Sequence, residues 1–193
     1  MAWYRPDGEW LYDRRMPRHL LVPGRGAPRP EHWQQRWADA HPDYRWAPYP
    51  PGPPFVLKDR VAALHEAITA DDEPAVLIAH SAGCITTAMW AHRHAGPVQA
   101  ALLVTPPYLD PHWTPGPDDS ADDEPIIVPR GRLPFRAIVV ASRTDPYATF
   151  AQFEQYAEDW GAELYDAGDA GHIETASGYG PWPEGERLVA ALG

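Results

Sequence analysis

Cysteine is almost missing from this chain. Cys84 is the single one in 193 residues, so an intramolecular disulfide is impossible and a Cys-rich zinc site is excluded. Lysine is as scarce, with Lys58 alone, and asparagine does not occur. Basic residues are outnumbered: 16 Lys and Arg against 27 Asp and Glu leave a formal net charge of −11. A nucleic-acid binder carries a basic patch, so that class is excluded. No apolar run approaches the roughly 20 residues that cross a bilayer. The opening stretch MAWYRPDGEW also lacks the apolar segment and small-residue cleavage site of a signal peptide. A cytoplasmic protein without a membrane partner is the expectation.

Proline and glycine are plentiful, at 24 and 15 residues, a level at which disorder competes with folding. Nine Trp, nine Tyr and four Phe decide for a packed core, because aromatic side chains bury large areas. A chain of this length forms one domain by default and buries about 70% of its unfolded surface, so no disulfide or metal is needed to fold it. The abundance of Ala, Arg, Pro and Gly points to a GC-rich bacterial genome.

Residues 1–18 set Trp3, Tyr4, Trp10 and Tyr12 among charges and prolines without sustained periodicity. They read as an aromatic extension packed on the domain or on a partner. Residues 19–193 read as a single domain. Short continuous apolar runs over 19–22, 75–79, 98–104, 135–141 and 162–165 predict buried parallel strands, with a weaker one at 45–47. Helical spacing predicts helices over 30–40 (Trp33 and Trp37 on one face), 56–69, 83–95, 147–160 and 184–192. Alternation of strands and helices predicts an α/β three-layer sandwich around a mainly parallel sheet of about six strands, doubly wound by right-handed crossovers. In such sheets the chemistry lies at the carboxyl ends of the strands. Residues 105–133 form a long, Pro-rich, acidic loop of a kind that is usually functional.

The segment Ile78-Ala79-His80-Ser81-Ala82-Gly83 ends the best strand and opens a helix, the context of a nucleophile elbow. Ala79 replaces the usual first glycine. The competing reading is a plain strand–turn–helix with Ser81 as a capping serine. A serine nucleophile needs a base and the base needs an acid. His172 lies just past the last strand, in Ala170-Gly171-His172-Ile173, and Asp145 follows the preceding one, in Ser142-Arg143-Thr144-Asp145-Pro146. The order Ser81, Asp145, His172 is the α/β-hydrolase order. Rival acids are Asp110, Asp166 and Asp169. The bland alternatives are an Asx turn at Asp145 and a surface loop histidine at His172. An oxyanion hole would combine the N–H of Ala82 with that of Gly24 or Arg25, Arg25 being favoured because Pro23 has no N–H.

On these residues the chain resembles the small serine hydrolases related to retinoblastoma-binding protein nine. The resemblance runs from about Leu20 to Leu192. It rests on Val22-Pro23-Gly24, His32-Trp33 with Trp37, the segments around Ser81, Asp145 and His172 quoted above, and Ser177-Gly178-Tyr179-Gly180-Pro181-Trp182-Pro183. It implies an α/β-hydrolase fold without a cap domain. It also implies Ser81 as nucleophile, Asp145 as acid and His172 as base in the hydrolysis of small esters or amides. Residues 1–18 and the acidic loop 111–125 stand outside the family pattern. The Leu-x-Cys-x-Glu sequence of retinoblastoma binding is missing, so no such partner is inferred.

Other features have plainer readings. Cys84 suits a small buried apolar role. His92 and His94, two apart on a helix, do not share a face for a metal. The acidic run from Asp118 to Glu124 lacks the spacing of a calcium loop. Trp33 and Trp37 read as core, and Trp182 as a brace for the His172 loop. His32, Tyr108, Trp113 and Tyr147 are candidates for the substrate pocket.

The expectation is therefore a serine hydrolase that cleaves a small carboxylic ester through an acyl-enzyme, with no cofactor or metal. Amidase, thioesterase or acyl-transfer chemistry shares the same triad. A binding or scaffolding protein built on a hydrolase fold is the alternative of another class. Oligomeric state and natural substrate are left open by the sequence.

Overall fold

The computed structural model describes residues 2–4, 10–12, 17–47, 56–109 and 126–193. Near the N-terminus β1 (Ala2–Tyr4) pairs antiparallel with β2 (Trp10–Tyr12) as a separate two-stranded sheet. No strands are predicted there from the sequence. The placement of those aromatic side chains, the acidic run 118–124 and Trp113 lie outside the described residues.

The main sheet has six parallel strands: β3 (Arg18–Val22), β4 (Tyr44–Trp46), β5 (Ala75–His80), β6 (Val98–Val104), β7 (Arg136–Ala141) and β8 (Glu163–Asp166). Their spatial order is β4-β3-β5-β6-β7-β8. From β3 the chain first winds to β4 at one edge, then returns to β5 on the other side. The switch point thus lies between β3 and β5, where an open α/β sheet forms its crevice.

Each strand's alternate residues enter one of two cores. Leu20, Leu77, Ala79, Leu103 and Val139 face α2 (Leu57–Thr69), α3 (Ala82–Arg93) and α4 (Phe150–Trp160), meeting Leu64, Trp90, Phe153 and Trp160. Leu21, Val76, Ile78, Leu102 and Val140 face α1 (Trp33–Ala40) and α5 (Pro183–Ala190), meeting Trp33, Trp37, Trp182 and Val189. Burial on both faces explains why the central strands are continuous apolar runs. The result is a three-layer α/β sandwich with no cap domain among the described residues.

Two polar side chains, Arg18 half-buried and Gln34 buried, tie the sheet to its surroundings. The Arg18 guanidinium donates to the carbonyls of Ala67, Ile68, Asp71 and Glu73, closing the C-terminal end of α2, whose last carbonyls have no helical partner. Gln34, 1% exposed, donates through Nε2 to Val22 O at 3.2 Å and Ile78 O at 3.0 Å. It ties the ends of β3 and β5 together beneath the crevice.

Helix starts differ by a few residues from the sequence expectation. α1 begins at Trp33 rather than residue 30 because His32 caps it, its Nδ1 accepting from Gln34 N–H. α4 begins at Phe150 rather than 147 because Thr149 and Gln152 form a reciprocal capping box.

Candidate active site

Ser81 sits where β5 turns into α3, with φ 54° and ψ −125°. A non-glycine residue there carries strain of roughly 1–3 kcal/mol, which the surrounding packing must hold. The turn is possible because Gly83 has no side chain: a Cβ there would lie 2.3 Å from Val22 O and 2.8 Å from Pro23 O. Ser81 makes no capping side-chain bond to its helix. Its Oγ is 2.9 Å from His172 Nε2 instead, so the capping-serine reading does not describe it.

His172 Nδ1 lies 2.7 Å from Asp145 Oδ2. The Asp145 side chain has no solvent exposure and that of His172 has 6%. Asp145 Oδ1 also accepts from Tyr147 N–H at 2.7 Å. That is an Asx turn: it aims the carboxylate, and the other oxygen meets the imidazole. The rival Asp166 is engaged by Arg143, which holds its carboxyl below the ordinary range. Asp169 stands exposed, and Asp110 lies outside the described residues.

The two loops that carry Asp145 and His172 are sewn to each other. Ala170 N–H donates to Ser142 Oγ at 3.1 Å and Gly171 N–H to Thr144 Oγ1 at 3.0 Å. His172 N–H donates to Ser177 Oγ at 3.1 Å. The His172 carbonyl accepts from His80 Nε2–H at 2.9 Å and from Thr105 Oγ1 at 3.2 Å. Ile173, at φ 46°, has its carbonyl held by Trp33 Nε1–H at 2.9 Å. Trp182 packs on Trp33 and Trp37 behind this loop, the bracing role expected of it.

His80 is buried, and burial pushes its pKa well below the ordinary histidine value, with His32 and His172 adding to the effect. A neutral ring whose Nε2–H meets a carbonyl is the consequence.

The loop after β3 closes the other side of Ser81. A Cβ on Gly24 would stand 3.3 Å from Ser81 Cβ, so this backbone runs against the nucleophile turn. The Gly24 carbonyl accepts from Arg60 at 3.4 Å. Gly24, Arg25 and Ala82 line the same cavity as Ser81 and His172. Its volume is about 730 Å³, within the usual range of small-molecule sites. Its lining includes the apolar Ile85, Leu109 and Ile126 and the cationic Arg25 and Arg29. Of the sequence-named pocket residues, His32, Tyr108 and Tyr147 line the cavity. The Tyr147 ring meets the His172 ring edge-on at 4.6 Å.

Cys84 is buried and burial raises its thiol pKa, which makes it a poor nucleophile. Among the described residues no three His, Cys, Asp or Glu side chains are grouped to hold a metal ion, and no helix is long and apolar enough to cross a membrane.

Sequence reasoning passes over Gln34, Arg60, His80 and Thr105. For His80 the signal was its place beside Ser81. The others carry none, since their partners are backbone carbonyls distant in the chain.

The fold and site define a hydrolase of the α/β class. The family model for serine hydrolases matches residues 19–191, and the chain belongs to that family. It is similar in structure to a protein described as a YdeN-like hydrolase from Pectobacterium atrosepticum. That match has 27% identity and a TM-score of 0.75, covering 90% of this chain and 89% of the other. The ydeN gene product of Bacillus subtilis shares the fold at 17% identity and TM-score 0.61, over 92% of this chain and 98% of its own. A Bacillus cereus carboxylesterase does so at 15% identity and TM-score 0.58, over 93% and 89%. No curated protein matches the chain.

Proposed function

We propose that this serine hydrolase cleaves a small carboxylic ester through a Ser81–His172–Asp145 triad and an acyl-enzyme. The observation that carries the reading is the unbroken line of contacts, 2.7 Å from Asp145 to His172 and 2.9 Å from His172 to Ser81, at the wall of a cavity. In the resting state the His172 ring donates its Nδ1–H to Asp145 and accepts a hydrogen bond from the Ser81 hydroxyl at Nε2. Ser81 Oγ attacks the ester carbonyl as His172 takes that proton, and Asp145 stabilises the imidazolium. The carbonyl oxygen becomes an oxyanion, held by the N–H groups of Ala82 and of Arg25 or Gly24. Collapse breaks the bond to the alcohol, which leaves with the proton from His172. Water, activated by the same ring, then releases the acid.

The apolar lining residues Ile85, Leu109 and Ile126 favour a compact acyl or aryl group. This chemistry needs no cofactor or metal. In the same reading residues 19–193 act as one domain, residues 1–18 are an added extension, and the protein works in the cytoplasm.

Turnover of p-nitrophenyl butyrate by the purified protein tests the reading. Ser81→Ala should lower kcat by at least ~10⁴-fold. Full activity in Ser81→Ala would overturn it. Matched ester, thioester and amide substrates, compared by kcat/KM, would show the ester first.

A further inference from the structure

The cavity wall beside the oxyanion loop holds an imidazole that the mechanism above does not use. His32 is 7% exposed and caps α1, its Nδ1 accepting from Gln34 N–H at 3.2 Å. A ring nitrogen that accepts carries no proton, so the neutral ring has its hydrogen on Nε2. Burial, assisted by His172 nearby, brings the pKa of His32 down to about 4, so the ring is neutral near pH 7. The ring stacks on Trp33 at 5.4 Å and tilts against His80 at 4.9 Å, which fixes its direction.

The Nε2–H has no hydrogen-bond partner among the described residues. It is not sealed in either, because among the described residues the one enclosed side-chain polar atom without a partner is Thr175 Oγ1. An oriented donor on a residue nine-tenths buried therefore opens into the cavity. Capping does not account for it. Ser, Thr, Asp or Asn would cap α1 better than histidine does. The imidazole's second nitrogen is the part left over, and buried donors in native proteins have partners.

We infer that His32 Nε2–H binds the substrate, and that the acid portion of the ester carries a second hydrogen-bond acceptor, a hydroxyl or keto oxygen close to the reacting carbonyl. The acid is the part addressed because the alcohol departs past His172 Nε2, which protonates it. His32 lies against His80, whose ring also meets Gly24 beside Ser81, and that side is the one left to the acyl group. This inference rests on the esterase reading and names its substrate class.

The test compares p-nitrophenyl butyrate with its 2-hydroxy, 3-hydroxy and 3-oxo analogues, for wild type and His32→Asn. Asn retains an oxygen to cap α1 but places no donor where Nε2–H lies. Wild type should prefer at least one analogue over butyrate by about tenfold or more in kcat/KM. His32→Asn should erase that ratio, and His32→Gln, whose amide N–H reaches toward the Nε2 position, should restore part of it. Absence of any preference in wild type, or its survival in His32→Asn, would overturn the inference. Fluorophosphonate labelling of Ser81 in each variant reports that the site is folded. If wild type turned over none of the four esters and took no label, the esterase reading itself would fall, a result distinct from a missing preference.

Discussion

At the scale of single residues, the side chains around the reacting groups are polar, buried and partnered by backbone. His80 is the clearest case, since its Nε2–H and the Thr105 hydroxyl both hold the carbonyl of His172. A catalytic base displaced by an ångström can cost a hundredfold in rate. His80→Leu should therefore lower kcat by about 10–100-fold with little change in KM. His80→Gln, which offers an N–H near the Nε2 position, should recover most of it. Steady-state kinetics on p-nitrophenyl butyrate reads the split, and equal losses in the two variants would show that the hydrogen bond is not what matters. The residues of the proposed triad were legible because each lies in the segment that follows a strand, in an order that a known fold imposes. His80 and Gln34 were not legible as supports. His80 meets a carbonyl 92 residues away, and Gln34 reaches carbonyls 12 and 44 residues away. No periodicity records such pairings.

Elements meet closely at the nucleophile turn, where α3 starts against the end of β3. The missing Cβ of Gly83 is what lets the Val22 and Pro23 carbonyls pass at that distance. Backbone on both sides cannot give way as a flexible side chain would. Gly83→Ala should cost about 1–3 kcal/mol of stability and shift the Gly24–Arg25 segment, lowering kcat as well. Gly131, where a Cβ would meet nothing within 4 Å, is the control: Gly131→Ala should leave the urea midpoint and kcat near wild type. Similar effects in the two variants would contradict this account of the turn. Strands of the main sheet were readable to within a residue or two, because strands buried on both faces are unbroken apolar runs. The pair β1 and β2 was not read as strands: its segments are three residues each, too short to show alternation. The Asp7-Gly8 step between them is the hairpin signal that was available.

Across the whole molecule, the buried imidazoles of His32 and His80, tilted against each other, tie stability to pH. His32 and His80 have folded-state pKa values depressed by burial, His32 to about 4 from 6.5. In the window between these values the unfolded chain binds more protons than the folded one, so stability rises with pH. The contribution of His32 is complete above 6.5 and is lost as pH falls through about 4, and that of His80 is lost in the same direction. Asp166, held low by Arg143 from an ordinary value of 3.8, contributes its loss only below this window. The urea midpoint should therefore drop between about pH 7 and about pH 5, and less steeply in His80→Gln. A midpoint that is flat or rises toward acid would contradict the neutral buried rings.

An activated Ser81 is the centre of the proposed mechanism. The most direct measurement is mass spectrometry of the intact protein after reaction with a fluorophosphonate, with peptide mapping and Ser81→Ala alongside. One adduct per chain, located on Ser81 and absent from Ser81→Ala, is the expected result. A folded protein that takes no adduct, or takes it on another residue, would contradict the triad.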